Sequence, residues 1–208
     1  MLKTNQLGYQ YPNNKLLVFP DIEIPDSTNC LILGESGCGK TTLLHLLAGL
    51  RTPTQGNIWY NDTDITALAN HQKDDFRGKN IGVVFQSSAF IQSLSVLENL
   101  MMPLFLSHQV QDENKALQLL KKVNLEHKIR KPISALSVGE QQRVSILRAI
   151  MHQPKWLFAD EPTSALDNTN ATRVIDLMIE VAAENKSSLI VVTHDHRWNN
   201  AISHTIQL

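Results

Sequence analysis

The sequence predicts an α/β fold with a mainly parallel sheet, and three observations predict it. Short apolar or β-branched runs recur at Cys30–Leu33, Ile81–Phe85, Trp156–Ala159 and Leu189–Thr193. Unbroken apolar runs of this length suit strands buried on both faces. Stretches with helical spacing lie between them, the alternation expected of parallel strands joined by helices. The length, 208 residues, allows one substantial core and a smaller subdomain.

Two regions depart from this alternation. Asn57–Tyr60 runs into Asn61-Asp62, a turn pair, and reads as part of an antiparallel flank on the N-terminal side. Residues 87–135 carry no convincing strand. Val96–Leu106 and Asn114–Val123 have helical spacing there, and Pro103 is expected to break the first. The middle of the chain therefore reads as a helical insertion in an α/β core.

Composition narrows the function classes. With 42% hydrophobic residues, 19% charged residues and a net charge of −1, bulk electrostatic binding to nucleic acid or an anionic membrane is not supported. No apolar run approaches the ~18–20 residues of a spanning helix. MLKTNQLGYQYPNN lacks the apolar core of a signal peptide, so a cytosolic protein is expected. The two cysteines, Cys30 and Cys38, make no metal site or disulfide framework, and Cys30 reads as core.

GESGCGKT, Gly34 to Thr41, matches the phosphate-loop pattern G-x-x-x-x-G-K-[ST] in full. It follows the strand-like CLIL and precedes the helix-like TTLLHLLAGL, the context that the motif needs. Gly34, Gly37 and Gly39 let the backbone curl so that its N–H groups face phosphate oxygens. Glu35, Ser36 and Cys38 fill the variable positions. The following helix start, with Thr42 in it, adds its positive dipole end. Lys40 is placed to neutralise the β- and γ-phosphates and Thr41 to ligate Mg²⁺. The glycine spacing is wrong for a dinucleotide fingerprint.

Four apolar residues lead into Asp160-Glu161 within KWLFADEPTSALD. Alone, such a pair reads as a solvated turn. Together with a phosphate loop at a neighbouring strand end, Asp160 is expected to hold Mg²⁺ and Glu161 to polarise the attacking water. Further on, Ser137 and Glu140 in LSVGEQQR form the capping box S-x-x-E, so a helix is expected to start there, with Pro154 just past its end.

LSVGEQQRVSILRAI resembles the signature of ATP-binding-cassette (ABC) ATPases, usually LSGGQ followed by QR. The resemblance covers nearly the whole chain in the family's order: phosphate loop, Gln86, signature, acidic pair, SALD at Ser164–Asp167, then His194. It implies a P-loop NTPase with a RecA-like parallel sheet core (1–86 and 150–208), an N-terminal antiparallel β flank and an inserted helical subdomain (87–149). It also implies ATP and Mg²⁺ as cofactors and a head-to-tail dimer. Ser137 and Gly139 would then reach the γ-phosphate of ATP on the partner subunit, as a capped helix start with free N–H groups permits. Because Ser137 is also the cap, its role is expected to change on closure.

The same resemblance assigns the remaining residues. Tyr11 lies where the family stacks an aromatic on adenine, with Tyr9 as competitor. Gln86 is implied in contact with Mg²⁺ and water, His194 with the γ-phosphate, and Asp167 in communication across the dimer. Read alone, Asp167 is a helix N-cap. Two residues depart from the family. Val138 replaces a glycine, and a β-branched residue disfavours positive φ. Glu140 replaces a glutamine, and a carboxylate facing the nucleotide would repel it.

Without a membrane segment, a transport role requires separate permease chains at the cytoplasmic face of the membrane. DITALANHQKDDFRGKNIGVVFQ, ENLMMPL and FADEP resemble the branch serving lipoprotein release, macrolide export and cell-division signalling. PTSALD resembles ATPases of amino-acid-type importers. A soluble ABC-type ATPase acting on DNA or ribosomes fits less well, given the lack of a basic patch.

Overall fold

The protein's structure, a computed structural model, describes residues 1–12 and 15–208. Along the chain come β1 (Leu2–Gln10), β2 (Leu16–Val18), β3 (Glu23–Ile24), β4 (Cys30–Leu33), α1 (Lys40–Leu47), β5 (Gln55–Tyr60), β6 (Thr63–Asp64) and α2 (Asn70–Asn80). They are followed by β7 (Ile81–Val84), α3 (Val96–Leu106), α4 (Glu113–Lys122), α5 (Val138–Ile150), β8 (Trp156–Asp160), α6 (Asn168–Asn185), β9 (Ser188–Thr193) and β10 (Thr205–Gln207).

The strands form two sheets. One is parallel, in the order β10-β4-β9-β8-β7. The other is antiparallel, in the order β2-β1-β5-β6 with β3 also on β1. The parallel sheet contains all four apolar runs that the sequence marks. Its strands alternate between two cores. Leu31, Leu157, Ala159, Leu189 and Val191 pack towards the helices α3 to α6, while Cys30, Ile32, Trp156, Phe158, Ile190 and Val192 pack towards α1 and the antiparallel sheet. Side chains of successive strand residues point to opposite faces, so a run buried on both faces must be apolar throughout. Burial also pushes the Cys30 thiol up to about 12.

The expected neighbour relation of the acidic pair needs correction. The strand carrying Asp160 does not lie beside the phosphate-loop strand, because β9 sits between them, with Ile32 opposite Val192 and Val192 opposite Asp160. Strand order depends on long-range pairing and leaves no mark in local pattern.

Residues 87–135 contain no strand, only an isolated bridge between Ser95 and Pro132. Pro103 does not break α3, which continues to Leu106. A proline costs its own N–H bond to the residue four before it. Here the helix is already in its last turn, and the Ser107 N–H and hydroxyl both donate to the Pro103 carbonyl, at 3.0 and 2.7 Å. Burial of Leu100, Met101 and Leu104 holds the face together.

Helix α5 starts where the capping box places it. The Ser137 Oγ accepts from the Glu140 N–H at 3.3 Å, and Glu140 accepts from the Ser137 N–H at 2.8 Å. Its other end closes on β7 so tightly that a Cβ on Gly82 would fall 2.1 Å from the Ala149 carbonyl oxygen. Leu147 is fully buried in this contact region. Leu147→Ala should lower the unfolding free energy by about 2–5 kcal/mol. Val110→Ala, at a side chain 88% exposed, should change it by less than about 0.5 kcal/mol. Chemical denaturation of both variants checks the contrast.

Candidate functional site

The carboxyl ends of four adjacent strands, β4, β9, β8 and β7, lie along one edge of the parallel sheet. They lead respectively into the phosphate loop, His194, Asp160-Glu161 and Gln86. A cleft of about 600 Å³ opens there, lined by Tyr11, Ser36, Gly37, Gly39, Lys40, Thr41, Thr42, Gln86, Glu161 and His194. Residues scattered over 184 positions of sequence thus meet because parallel strands deliver their C-terminal ends to the same side.

The loop geometry follows from its glycines. Gly37 and Gly39 have φ of 83° and 101°, a region that side chains with a Cβ avoid. Gly39 immediately precedes α1, so the loop turns into a helix start with free N–H groups. Gly34 packs under Cys38, whose Sγ would lie 2.6 Å from an added Cβ. Gly34, Glu35 and Cys38 are not among the residues lining the cleft. Lys40 is buried, and its ammonium donates to the Gly34 and Glu35 carbonyls, both at 2.8 Å. The cation is thereby held over the loop.

Thr41, the second residue of α1, reaches across β9. Its hydroxyl donates to Asp160 Oδ1 at 3.1 Å. Burial raises the Asp160 carboxyl above its ordinary range, against the lowering effects of the Thr41 hydroxyl and of His45 and Lys40 nearby. A buried carboxylate beside a hydroxyl, with the Gln86 amide on the same cleft, is a set of hard oxygen donors. It fits Mg²⁺, which takes one or two protein ligands and completes its shell with phosphate and water. Among the described residues no cluster of three or more His, Cys, Asp or Glu forms a self-sufficient metal site.

Glu161 is 9% exposed and held from three directions. The Thr193 hydroxyl donates to Oε2 at 2.7 Å and the His194 N–H to the same oxygen at 3.4 Å. The His194 Nδ1 lies 2.8 Å from Oε1. The Glu161 backbone has φ of 46°, unusual for a residue with a Cβ and a local strain of the kind found at functional sites. Its N–H donates to the Val192 carbonyl at 2.9 Å, so the strained turn is fastened to β9. Thr193 was missed by the sequence reading, and an isolated threonine at a strand end carries no signal.

Of the two tyrosines, Tyr11 lines the cleft and Tyr9 packs on it edge-to-face, with ring centroids 4.8 Å apart. The Tyr11 hydroxyl is 2.9 Å from Thr42 Oγ1. Arg51 lies 5.3 Å from the Tyr11 ring and donates to the Tyr9 hydroxyl. Lys15 and Leu17 also line the cleft. They escaped the sequence reading because only the pairing of β1 with β2 brings them there.

Ser137, Gly139 and Asp167 do not join this cleft. Ser137 and Asp167 are exposed. Asp167 caps α6, accepting from the Asn170 N–H at 2.9 Å. The two departures at the signature have defined local surroundings. Val138 is the first residue of α5 and is absent from the positive-φ residues, so its β-branch meets no backbone conflict. Glu140 does not present a bare carboxylate, because both its oxygens accept from the Lys128 ammonium, at 2.7 and 2.8 Å. Ser137 is engaged twice with Glu140 in the cap. Its oxygen accepts the cap bond and its hydroxyl donates to the Glu140 carboxylate, so contact with a phosphate would require that proton to turn away.

The far side of α5 is tied to the cleft. Gln142 donates to the Pro162 carbonyl at 3.0 Å, just after Glu161, and Arg148 donates to the Ala89 carbonyl at 2.6 Å, just after Gln86.

Comparison with known proteins agrees with this architecture. The family model described as ABC transporter matches residues 20–164. The lipoprotein-releasing system ATP-binding protein LolD of Xylella fastidiosa (strain 9a5c) is 36% identical, over 100% of this chain and 89% of its own length. LolD of Legionella pneumophila (strain Paris) is 41% identical, over 85% of this chain and 79% of its own. Among solved structures, the dimeric bacterial ABC transporter cassette MJ0796 superposes with a TM-score of 0.91 at 29% identity, covering 100% of this chain and 94% of that one. A post-hydrolysis dimer of the same cassette, bound to ADP and Pi, matches equally well. With the phosphate loop, Gln86, Glu161 and His194 at one cleft and a family match over more than half its length, the chain belongs to the ABC transporter family as one of its ATP-binding cassettes.

Proposed function

We propose that this cassette hydrolyses ATP in a head-to-tail dimer and powers a membrane permease that releases lipoproteins. The observation that carries the catalytic part is the cleft itself, where Lys40, the Thr41–Asp160 pair and the Glu161–His194 pair converge. The substrate class rests on the relatives named LolD. Among the described residues no helix is long and apolar enough to cross a membrane, and the spanning part is proposed to lie on separate permease chains. Association with the cytoplasmic face is part of the same proposal.

The mechanism follows from the geometry. Tyr11 offers a flat face to adenine. The loop N–H groups and Lys40 take the phosphates, with Lys40 exchanging its two carbonyl partners for phosphate oxygens. Thr41, Asp160 and Gln86 are the residues that would hold Mg²⁺, which when bound would neutralise charge on the phosphates. Glu161 accepts the proton of the attacking water, and His194, whose Nδ1 proton faces Glu161, presents Nε2 to the γ-phosphate and donates there only as the imidazolium.

Closure is needed because a single chain leaves one wall open. Ser137, exposed, and Gly139, half-buried, lie away from their own cleft and are proposed to complete the partner's. Residues 1–86 and 150–208 act as the nucleotide-binding core, and 87–149 as a helical subdomain that carries the signature. Motion reaches the permease from Gln86, through the Arg148–Ala89 bond that ties α5 to the following segment.

Lys40→Ala should abolish ATP binding, measured by calorimetry, and unchanged affinity would remove the phosphate-loop assignment. Glu161→Gln should retain binding, lose at least about a hundredfold in turnover, and accumulate as an ATP-bound dimer in gel filtration. Thr193→Val, which removes one bond to Glu161, should lower kcat about tenfold with KM for ATP little changed. A raised KM at constant kcat would instead mark Thr193 as a nucleotide contact.

The permease is identified with tagged Glu161→Gln protein in its native cell, solubilised with detergent and ATP. Co-purification of a permease with few spans and a large extracytoplasmic domain is expected. A many-span permease with a solute-binding protein would turn the assignment to an importer.

A further inference from the structure

The signature of this chain carries a carboxylate, Glu140, at a helix start that the proposed dimer brings to a triphosphate. A negative side chain suits a helix N-terminus in isolation. It is unfavourable within a few ångströms of a phosphate anion, where water is excluded and charge is weakly screened. The structure shows what offsets it. Lys128, in the single turn at Glu126–Lys128, reaches over 12 residues of sequence to both Glu140 oxygens. The two side chains are 23% and 19% exposed, about as enclosed as the Arg197–Asp195 pair at 33% and 11%. By contrast, Arg130–Glu113 is 72% and 61% exposed.

The pair also fixes geometry. Glu140 Oε2 accepts from both Lys128 and the Ser137 N–H, so the ammonium orients the carboxylate that orients Ser137. Among the described residues no other cation forms an ion pair with Glu140. Without Lys128 the carboxylate would remain at the helix start with its charge uncompensated.

We infer that Lys128 is a positioning residue for nucleotide-driven closure: it neutralises Glu140 and locks it onto the Ser137 backbone, so that the helix start can approach the partner's γ-phosphate. The inference rests on the proposed head-to-tail dimer. It assigns Lys128 no contact with the nucleotide of its own subunit, so its effect must appear in dimerisation and not in monomer binding.

The experiment uses the full chain carrying Glu161→Gln and reads ATP-dependent dimerisation by analytical ultracentrifugation, with monomer ATP affinity measured separately at low protein concentration. Lys128→Ala and Lys128→Gln should each weaken dimerisation about tenfold while leaving monomer affinity unchanged. Adding Glu140→Gln to either should restore dimerisation, because the uncompensated charge is gone. Glu140→Gln alone should dimerise at least as well as the parent. If Lys128 variants dimerise like the parent, the inference is overturned while the dimer reading stands. If Glu140→Gln fails to rescue, or by itself impairs dimerisation as much as Lys128→Ala, the pair is only a structural tie and the inference is again overturned. A Glu161→Gln parent that stays monomeric with ATP would remove the dimer reading and this inference together.

Discussion

The site depends on one constraint, the register of four parallel strands buried on both faces. Ile32 opposite Val192 and Val192 opposite Asp160 set the ends of β4, β9 and β8 against one another to within a residue. A slip of one residue would invert every side chain between the two cores and expose Phe158 or Val192 to the wrong face. The apolar packing that prevents this slip also fixes where the phosphate loop, Glu161 and His194 emerge. The placement of the site is here a by-product of core burial, since Glu161 and His194 directly follow buried strand residues and Gln86 lies two residues past β7.

Beyond that edge, polar contacts refine the geometry. Glu161 is clamped by Thr193 and His194, both from the end of β9, and its strained backbone is fastened to Val192. Asp160 faces the other way, to Thr41 on α1. Two adjacent carboxylates therefore have different partners and different surroundings, the arrangement by which neighbouring acids take separate roles. The intervening β9 serves both, filling the space between β4 and β8 and supplying the groups that hold Glu161.

Helix α5 joins this site to the helical region. At one end Ser137 and Glu140 cap it and Lys128 compensates the carboxylate. Along its length Gln142 grips the turn after Glu161, and Arg148 grips the segment after Gln86 while lying 4.6 Å from the Phe90 ring. Displacement of α5 must strain both tethers, which gives the helix a mechanical connection to the turn that carries Glu161 and to the exposed segment beyond Gln86.

The sequence by itself determined the local elements and the phosphate chemistry. The glycines of GESGCGKT dictate a loop with positive φ, the capping box dictates where α5 begins, and unbroken apolar runs dictate strands buried on two faces. These are short-range effects of backbone sterics and side-chain periodicity, so they are legible without knowing the fold. The assignments of Gln86, His194, Ser137 and Gly139 came from motif order, because single residues of those types carry no pattern. Only the tertiary structure decided the rest. It placed β9 between the phosphate-loop strand and the acidic strand, brought Thr193, Lys15 and Leu17 to the site, let α3 run through Pro103, and paired Glu140 with Lys128. Each of these depends on contacts between segments distant in sequence, whose energy is paid by long-range burial and pairing and therefore leaves no periodic trace in the chain.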